Sequence, residues 1–154
     1  MSVTPDGPVL LYDGVCGFCN ASVQLVLRHD RRGTLRFAPL QSSYGKQVLA
    51  HHPELGGLDS MVWFEPGADP GSPTVLTRSS AALRVARYLG GPWSLLLAFW
   101  LVPRPLRDWA YDVVARNRHR LMGSAQQCLL PPLAERHRFL EAEANPIQIG
   151  EVKP

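Results

Sequence analysis

Two cysteines three residues apart are the residues of this sequence that most directly indicate chemistry. Cys16 and Cys19 form a Cys-x-x-Cys pair within YDGVCGFCN, residues 12–20. A cysteine in the first turn of a helix faces unpaired backbone N–H groups and the positive end of the helix dipole, and both stabilise its thiolate. The thiolate is the form that attacks a disulfide. The spacing therefore indicates a dithiol redox site.

The helical pattern that follows the pair separates the roles of the two sulfurs. The apolar stripe of this helix begins at Cys19 and continues through Val23, Val26 and Leu27, so Cys19 is predicted to be buried. Cys16 lies where a strand gives way to the helix and is predicted to be exposed. We expect Cys16 to attack a disulfide and Cys19 to resolve the mixed disulfide.

The two residues between the cysteines are candidate substrate contacts. Gly17 is small enough to let a substrate approach closely, and Phe18 offers an exposed contact surface.

Other interpretations of the cysteine pair remain open. Haem attachment is excluded, because it requires a histidine after the second cysteine and position 20 is Asn. A closed zinc site needs four ligands, which Cys128 with His119 or His137 could complete, although no second close-spaced pair exists. Cys16 and Cys19 could also be inert core thiols. We predict no metal.

The elements that position the pair follow from the hydrophobic pattern. Apolar runs predict strands at 9–12, 35–40, 60–65 and 74–78, and helical spacing predicts helices at 16–33, at 44–52 and from Ser79 or Ser80 to Leu89. The order is βαβαββα, and its first three elements form a βαβ unit with parallel strands. The predicted class is α/β, with helices on both faces of the sheet.

Two further helices, at 93–102 and about 104–122, form a predicted C-terminal helical extension. We predict a single domain over residues 1–154, with a core at about 8–90, the extension at about 92–132 and a flexible tail after about 145.

Composition limits the compartment and the partners. The chain is 45% hydrophobic and 19% charged, as ordinary globular proteins are. Its longest apolar run, 93–102, is half the ~20 residues that a membrane-spanning helix needs, and we find no secretory signal. Three cysteines make no disulfide framework, so a reducing, cytoplasmic location is predicted. The net charge of +3 is modest and the basic clusters are interrupted, so we expect no nucleic-acid partner.

The motif that begins at Asp13 resembles the signature of a known family, the DCC thiol-disulfide oxidoreductase-like proteins, which are named for Asp-x-x-Cys-x-x-Cys. Here that signature runs from Asp13 to Cys19, and SSAALRVARYLGG, LVPRPLRDWAYDVVARNRHRLMG and CLLP are similar to later segments of the family. The resemblance covers about residues 8–132. It implies a thioredoxin-like fold and a disulfide oxidoreductase that acts on an unidentified protein disulfide or low-molecular-weight thiol. The cysteine pair itself carries two electrons, so no bound cofactor is expected, but an external reductant is.

Asp13 supports two interpretations. It is either a proton acceptor for the resolving thiol of Cys19 or a turn-forming residue whose side chain caps backbone N–H groups at the Asp13-Gly14 bend.

Ser60 lies where thioredoxins carry a cis-proline that guides the substrate. The equivalent stretch here, GGLDSMVWF, has no proline, and a non-proline cis bond costs ~2.5–4 kcal/mol. Ser60 is therefore a candidate substrate contact that faces the cysteines, or else an ordinary hydroxyl at the start of a strand.

The helical extension supports a rival function. Segment 93–102 is apolar nearly all round, which indicates either a buried helix or a docking surface for a partner or membrane. The rival is a non-catalytic thioredoxin-like binding module that docks through this segment, with structural cysteines. Cys128 is expected to be a buried thiol or a third redox cysteine.

The 104–122 helix is predicted to pack through one apolar face. The residues that share this face are Leu106, Trp109, Ala110, Val113, Val114 and Leu121. Asn117 and Arg120 fall within it, so ARNRHR is expected to be a packed polar cluster. The alternative is an anion subsite in which Arg116, Arg118 or Arg120 binds a substrate carboxylate.

Overall fold

The computed structural model describes residues 7–13, 17–57, 60–67, 72–122 and 133–140. Its strands form one mixed sheet in the order β2-β1-β3-β4. They are β1 (Val9–Tyr12), β2 (Arg36–Pro39), β3 (Val62–Glu65) and β4 (Thr74–Thr77). β1 and β2 are parallel, whereas the β1–β3 and β3–β4 pairs are antiparallel.

The helices follow in the predicted order. They are α1 (Gly17–His29), α2 (Ser43–His51), α3 (Arg78–Leu89) and α4 (Arg104–Met122), with 3-10 helices at Pro53–Leu55, Gly91–Leu101 and Leu133–Arg138. The order βαβαββα is confirmed for the sheet and its helices, followed by a C-terminal helical extension.

The sheet is covered on both faces, and the buried strand β1 shows why. Successive side chains of a strand point to opposite faces. Leu10 and Tyr12 join a core that includes residues of α1 and α3, whereas Val9 and Leu11 join a second core with Val48 of α2. All of β1 is therefore apolar and buried. This α/β arrangement is consistent with a thioredoxin-like fold, as predicted.

The junction between β4 and α3 differs from the predicted helix start. α3 follows Thr77 directly, and Arg78 makes the reversal with a φ of 53°, a region that non-glycine residues seldom adopt. The sequence predicts that the helix begins at a capping residue, Ser79 or Ser80, whereas Thr77 is the N-cap in the structure. Ser79 and Ser80 lie buried in its first turn instead, and their hydroxyls contact Arg107 of α4.

Glu65, at the end of β3, is tied to α3. Its Oε2 accepts hydrogen bonds from Arg84 Nη2 (2.8 Å) and Trp63 Nε1 (3.2 Å). Burial raises the pKa of Glu65, but these hydrogen bonds outweigh burial, and the pKa lies below its ordinary value.

The Gly91–Leu101 helix is exposed, so the interpretation of this segment as a buried helix is wrong. It packs beside α3, but none of its residues is buried, and Leu101 is 90% exposed. The helix is bounded by Pro92 in its first turn and by Pro103 after its C-cap, Val102. No helix in the described parts of the chain is both long enough and apolar enough to cross a membrane.

α4 also packs differently from the prediction. Leu106, Trp109 and Val113, on the predicted buried face, are exposed. Asn117 is exposed too, and its side chain donates to the Val113 carbonyl of its own helix (2.8 Å). Arg116 and Arg120 are exposed, so the expected packed polar cluster is not formed by these residues. α4 instead packs toward α1 and α3 through the side that carries Arg107 and Tyr111.

The segment after the Leu133–Arg138 helix docks beside β2. Phe139 forms an isolated parallel bridge with Phe37 and stacks on its ring at 5.4 Å between centroids. Arg138 is buried, with its guanidinium on the Asp30 carboxylate and its Nε donating to the Leu35 carbonyl (3.1 Å). The tail predicted after about 145 lies outside the described residues.

Candidate redox site

Cys19 lies where the sequence predicts the resolving thiol. It is the third residue of α1, in the first helical turn, and is only 3% exposed. It packs in the core formed by α1, α3 and one face of the sheet. Burial on the apolar stripe of α1 is therefore confirmed. Cys16, the predicted attacking cysteine, and Cys128 lie outside the described residues.

The two residues between the cysteines begin the helix. Gly17 and Phe18 are the first residues of α1, so the stretch that joins the cysteines runs into the helix N-terminus as predicted. The position of the Phe18 side chain is outside the described part of the chain.

Asp13 follows β1 and contacts a residue that the sequence did not single out. The Gln41 Nε2 amide donates to Asp13 Oδ1 (2.8 Å). The parallel register places Tyr12 opposite Pro39, and the Leu40 N–H donates to the Tyr12 carbonyl (2.8 Å), so the carboxyl ends of β1 and β2 meet where Asp13 and Gln41 follow them. The predicted βαβ unit was the signal that could have identified Gln41.

Ser60 is buried in front of β3. It is 4% exposed, and its Oγ has no hydrogen-bond partner among the described residues. The N–H of the next residue, Met61, donates to the Tyr111 hydroxyl of α4 at 3.4 Å. A buried hydroxyl without a hydrogen-bond partner costs ~1–3 kcal/mol of stability. An exposed serine at the start of a strand avoids this cost because its hydroxyl can hydrogen-bond to water.

A cavity of about 590 Å³ opens beside Cys19. Residues of α1, α3, α4 and the Gly91–Leu101 helix line it, and its walls are almost wholly apolar. Cys19 contributes to one wall, and Leu83 and Phe99 contribute to others. The sequence did not predict this cavity, because its walls come from elements far apart in the chain.

The charged group in the cavity wall is Arg107. It is 7% exposed, its Nε donates to Ser79 Oγ (3.0 Å), and its Nη2 donates weakly to Ser80 Oγ (3.4 Å). Its guanidinium lies over the Trp100 ring, 5.1 Å from the centroid. The Ser79 hydroxyl in turn donates to Asp108. Arg107 was missed because a single arginine on an amphipathic helix carries no sequence signal of burial.

The described residues contain no cluster of side chains that could form the zinc site considered from the sequence. No group of three histidine, cysteine, aspartate or glutamate side chains within the described ranges could hold a metal ion. Cys128 lies outside those ranges, as does the side chain of His119, and His137 is exposed.

Comparisons with known proteins identify the family of this chain. The DCC1-like thiol-disulfide oxidoreductase family model matches residues 10–124. The chain is 40% identical over 137 residues to the uncharacterized protein YuxK of Bacillus subtilis, covering 86% of this chain and 93% of YuxK. It is 36% identical over 126 residues to the DCC family protein At1g52590, chloroplastic, of Arabidopsis thaliana, covering 80% of this chain and 69% of that protein. No solved structure gives a significant match. The chain belongs to the DCC1-like thiol-disulfide oxidoreductase family.

Proposed function

We propose that the protein is a thiol-disulfide oxidoreductase in which Cys16 attacks and Cys19 resolves. The observation that carries the proposal is the burial of Cys19 in the first turn of α1, directly after the strand β1. A buried second sulfur is shielded from external thiols, and Cys19 follows Cys16 by only three residues in the sequence. The family match supports the same redox role.

The exchange balances over two steps. The Cys16 thiolate attacks one sulfur of the substrate disulfide, which forms a mixed disulfide and releases the other substrate sulfur as a thiolate. Cys19 then loses its proton and attacks the Cys16 sulfur. This second step releases the reduced substrate and leaves a Cys16–Cys19 disulfide, so two electrons have passed to the substrate. An external thiol or reductase system then reduces the enzyme disulfide.

Asp13 and Ser60 have proposed supporting roles. Asp13 accepts the Cys19 proton, and Gln41, which donates to Asp13, orients its carboxylate. Ser60 donates its buried hydroxyl toward the reacting sulfurs or the substrate, which would supply the partner that it lacks among the described residues. Gly17 and Phe18 form the contact surface for the substrate.

The proposed substrates are a protein disulfide or a low-molecular-weight thiol, and the proposed compartment is a reducing one such as the cytoplasm.

The proposal is tested by alkylation of the reduced protein with iodoacetamide across a range of pH, read by mass at Cys16, Cys19 and Cys128. Cys16 is expected to react first, with an apparent pKa below the ~8.5 of a free cysteine, and Cys19 to react slowly because it is buried. Cys128→Ser is the matched control and should leave the Cys16 profile unchanged. If Cys16 reacts as slowly as Cys19 at every pH, the mechanism is refuted.

The exposed helical extension favours a second candidate function, a non-catalytic binding module that docks on an anionic membrane surface. Large apolar side chains of the Gly91–Leu101 helix and α4 are exposed, among them Phe99, Trp100, Leu101 and Trp109. Arg104 on α4 is exposed beside them. Exposed aromatic and aliphatic residues together with arginine suit the interface of anionic lipids.

Co-sedimentation with vesicles tests the second candidate. The chain should pellet with phosphatidylglycerol vesicles and not with phosphatidylcholine vesicles, and Leu101→Glu should abolish pelleting. Leu25→Glu, at a partly exposed leucine of α1, is the matched control and should pellet normally. Absence of pelleting with both vesicle types, or pelleting of Leu101→Glu, would remove membrane docking.

A further inference from the structure

The cavity beside Cys19 has the size and composition of a small-molecule site. Its volume of about 590 Å³ lies within the ~300–1,000 Å³ of pockets that hold small organic ligands. Such pockets are mostly apolar, with a few polar groups that fix the orientation of the ligand. Here the walls are mostly apolar carbon, from four helices and Met61, and the charged group among them is Arg107.

The buried charge of Arg107 is incompletely compensated by the protein. Burying a guanidinium is costly unless it is paired with an anion, yet its side-chain hydrogen bonds go to two neutral hydroxyls, those of Ser79 and Ser80. Among the described residues, no carboxylate lies within ion-pair distance of it, and Asp108 is reached only through the Ser79 hydroxyl. Two of the five guanidinium N–H donors are used, which leaves donors for an anion.

We propose that the cavity binds a small organic carboxylate with an apolar body. The carboxylate binds the guanidinium of Arg107 in a charge-assisted hydrogen bond, and the apolar body fills the space between Leu83 and Phe99. An alcohol of the same length would fill the same space but leave the guanidinium without an anion. Because Cys19 is part of the wall, the bound ligand covers its sulfur and slows its alkylation. The site does not depend on the redox step.

The first test compares octanoate with 1-octanol by calorimetry on the full chain. The two probes share their apolar body and differ in charge, so octanoate should bind about 10- to 100-fold more tightly, as charge-assisted hydrogen bonds predict. Saturating octanoate should also slow alkylation of Cys19. Equal affinity for the two probes, or binding of neither, would overturn the proposal.

Variants then assign the site. Arg107→Met should reduce octanoate affinity to that of octanol, whereas Arg116→Met, at an exposed arginine of the same helix outside the cavity, should retain the preference. Ala82→Phe, which fills the cavity from α3, should weaken both probes, and Ala50→Phe on the exposed side of α2 is its control. If Arg107→Met does not fold, the probe comparison and Ala82→Phe decide. A preference for octanoate that survives in folded Arg107→Met, or unchanged binding in Ala82→Phe, would refute the site.

Discussion

The buried ion pair between Asp30 and Arg138 yields a quantitative prediction for stability, because it links the end of α1 to the Leu133–Arg138 helix. Asp30 directly follows α1, and its Oδ1 accepts from the N–H groups of Arg32 and Gly33 (3.0 Å each). Its Oδ2 meets the guanidinium of Arg138, and the two side chains are 1% and 4% exposed. Asp30→Asn keeps an oxygen for the turn but presents a neutral amide to the buried guanidinium.

The expected loss follows from that burial. Removing one partner of a buried ion pair costs ~3–5 kcal/mol, a large part of the ~5–15 kcal/mol that stabilises a typical domain. For a chain of this size, such a loss lowers the melting temperature by about 6–20 °C. Denaturant unfolding followed by tryptophan fluorescence measures the free energy directly.

Two comparisons make the prediction specific. Asp112→Asn breaks the partly exposed pair with Arg78 (3.8 Å) and should cost only ~0.2–1 kcal/mol. In a double-mutant cycle, Asp30→Asn combined with Arg138→Met should be less destabilised than the sum of the two single variants, because the Asp30–Arg138 interaction can be lost only once. A loss below ~1 kcal/mol for Asp30→Asn, or strict additivity in the cycle, would refute the reasoning.

Three further predictions address the cysteines and two titrating groups. Cys19→Ser should accumulate a mixed disulfide between Cys16 and insulin that mass spectrometry detects, whereas Cys16→Ser should form none; equal trapping by both variants would contradict the assigned roles. The lowered pKa of Glu65 adds stability above the unfolded-state value of about 4.3 and loses it as the pH falls through the folded-state pKa. Glu65→Gln should therefore lose less stability in acid than the parent chain, and identical acid profiles by denaturant unfolding would contradict this. Burial raises the pKa of Tyr44 to about 12, so its contribution to stability is complete below the ordinary value of about 10 and is lost between about pH 10 and 12. Tyr44→Phe should flatten that alkaline loss, and an unchanged slope would count against burial as the cause.

The sequence by itself determined the elements and the burial of Cys19, because both depend on local periodicity. The run Val9–Tyr12 is apolar at every position, as a strand covered on both faces must be. The spacing from Cys19 to Val23 and Val26 placed all three on one face of α1, and all three are buried. The short links of the βαβ unit required parallel strands, and β1 and β2 are parallel.

The tertiary structure alone decided how the extension packs and which polar residues are buried. α4 has an apolar face, yet it packs through the side that carries Arg107, where the Ser79 and Ser80 hydroxyls and the Trp100 ring compensate part of the buried charge. Ser79, Ser80 and Trp100 lie on other helices than Arg107. They become its partners only because the fold brings those helices beside α4. The contact of Gln41 with Asp13 likewise depends on strand register. Periodicity identifies the faces of each element, but which faces meet depends on side-chain complementarity between distant segments, and that is a property of the folded chain.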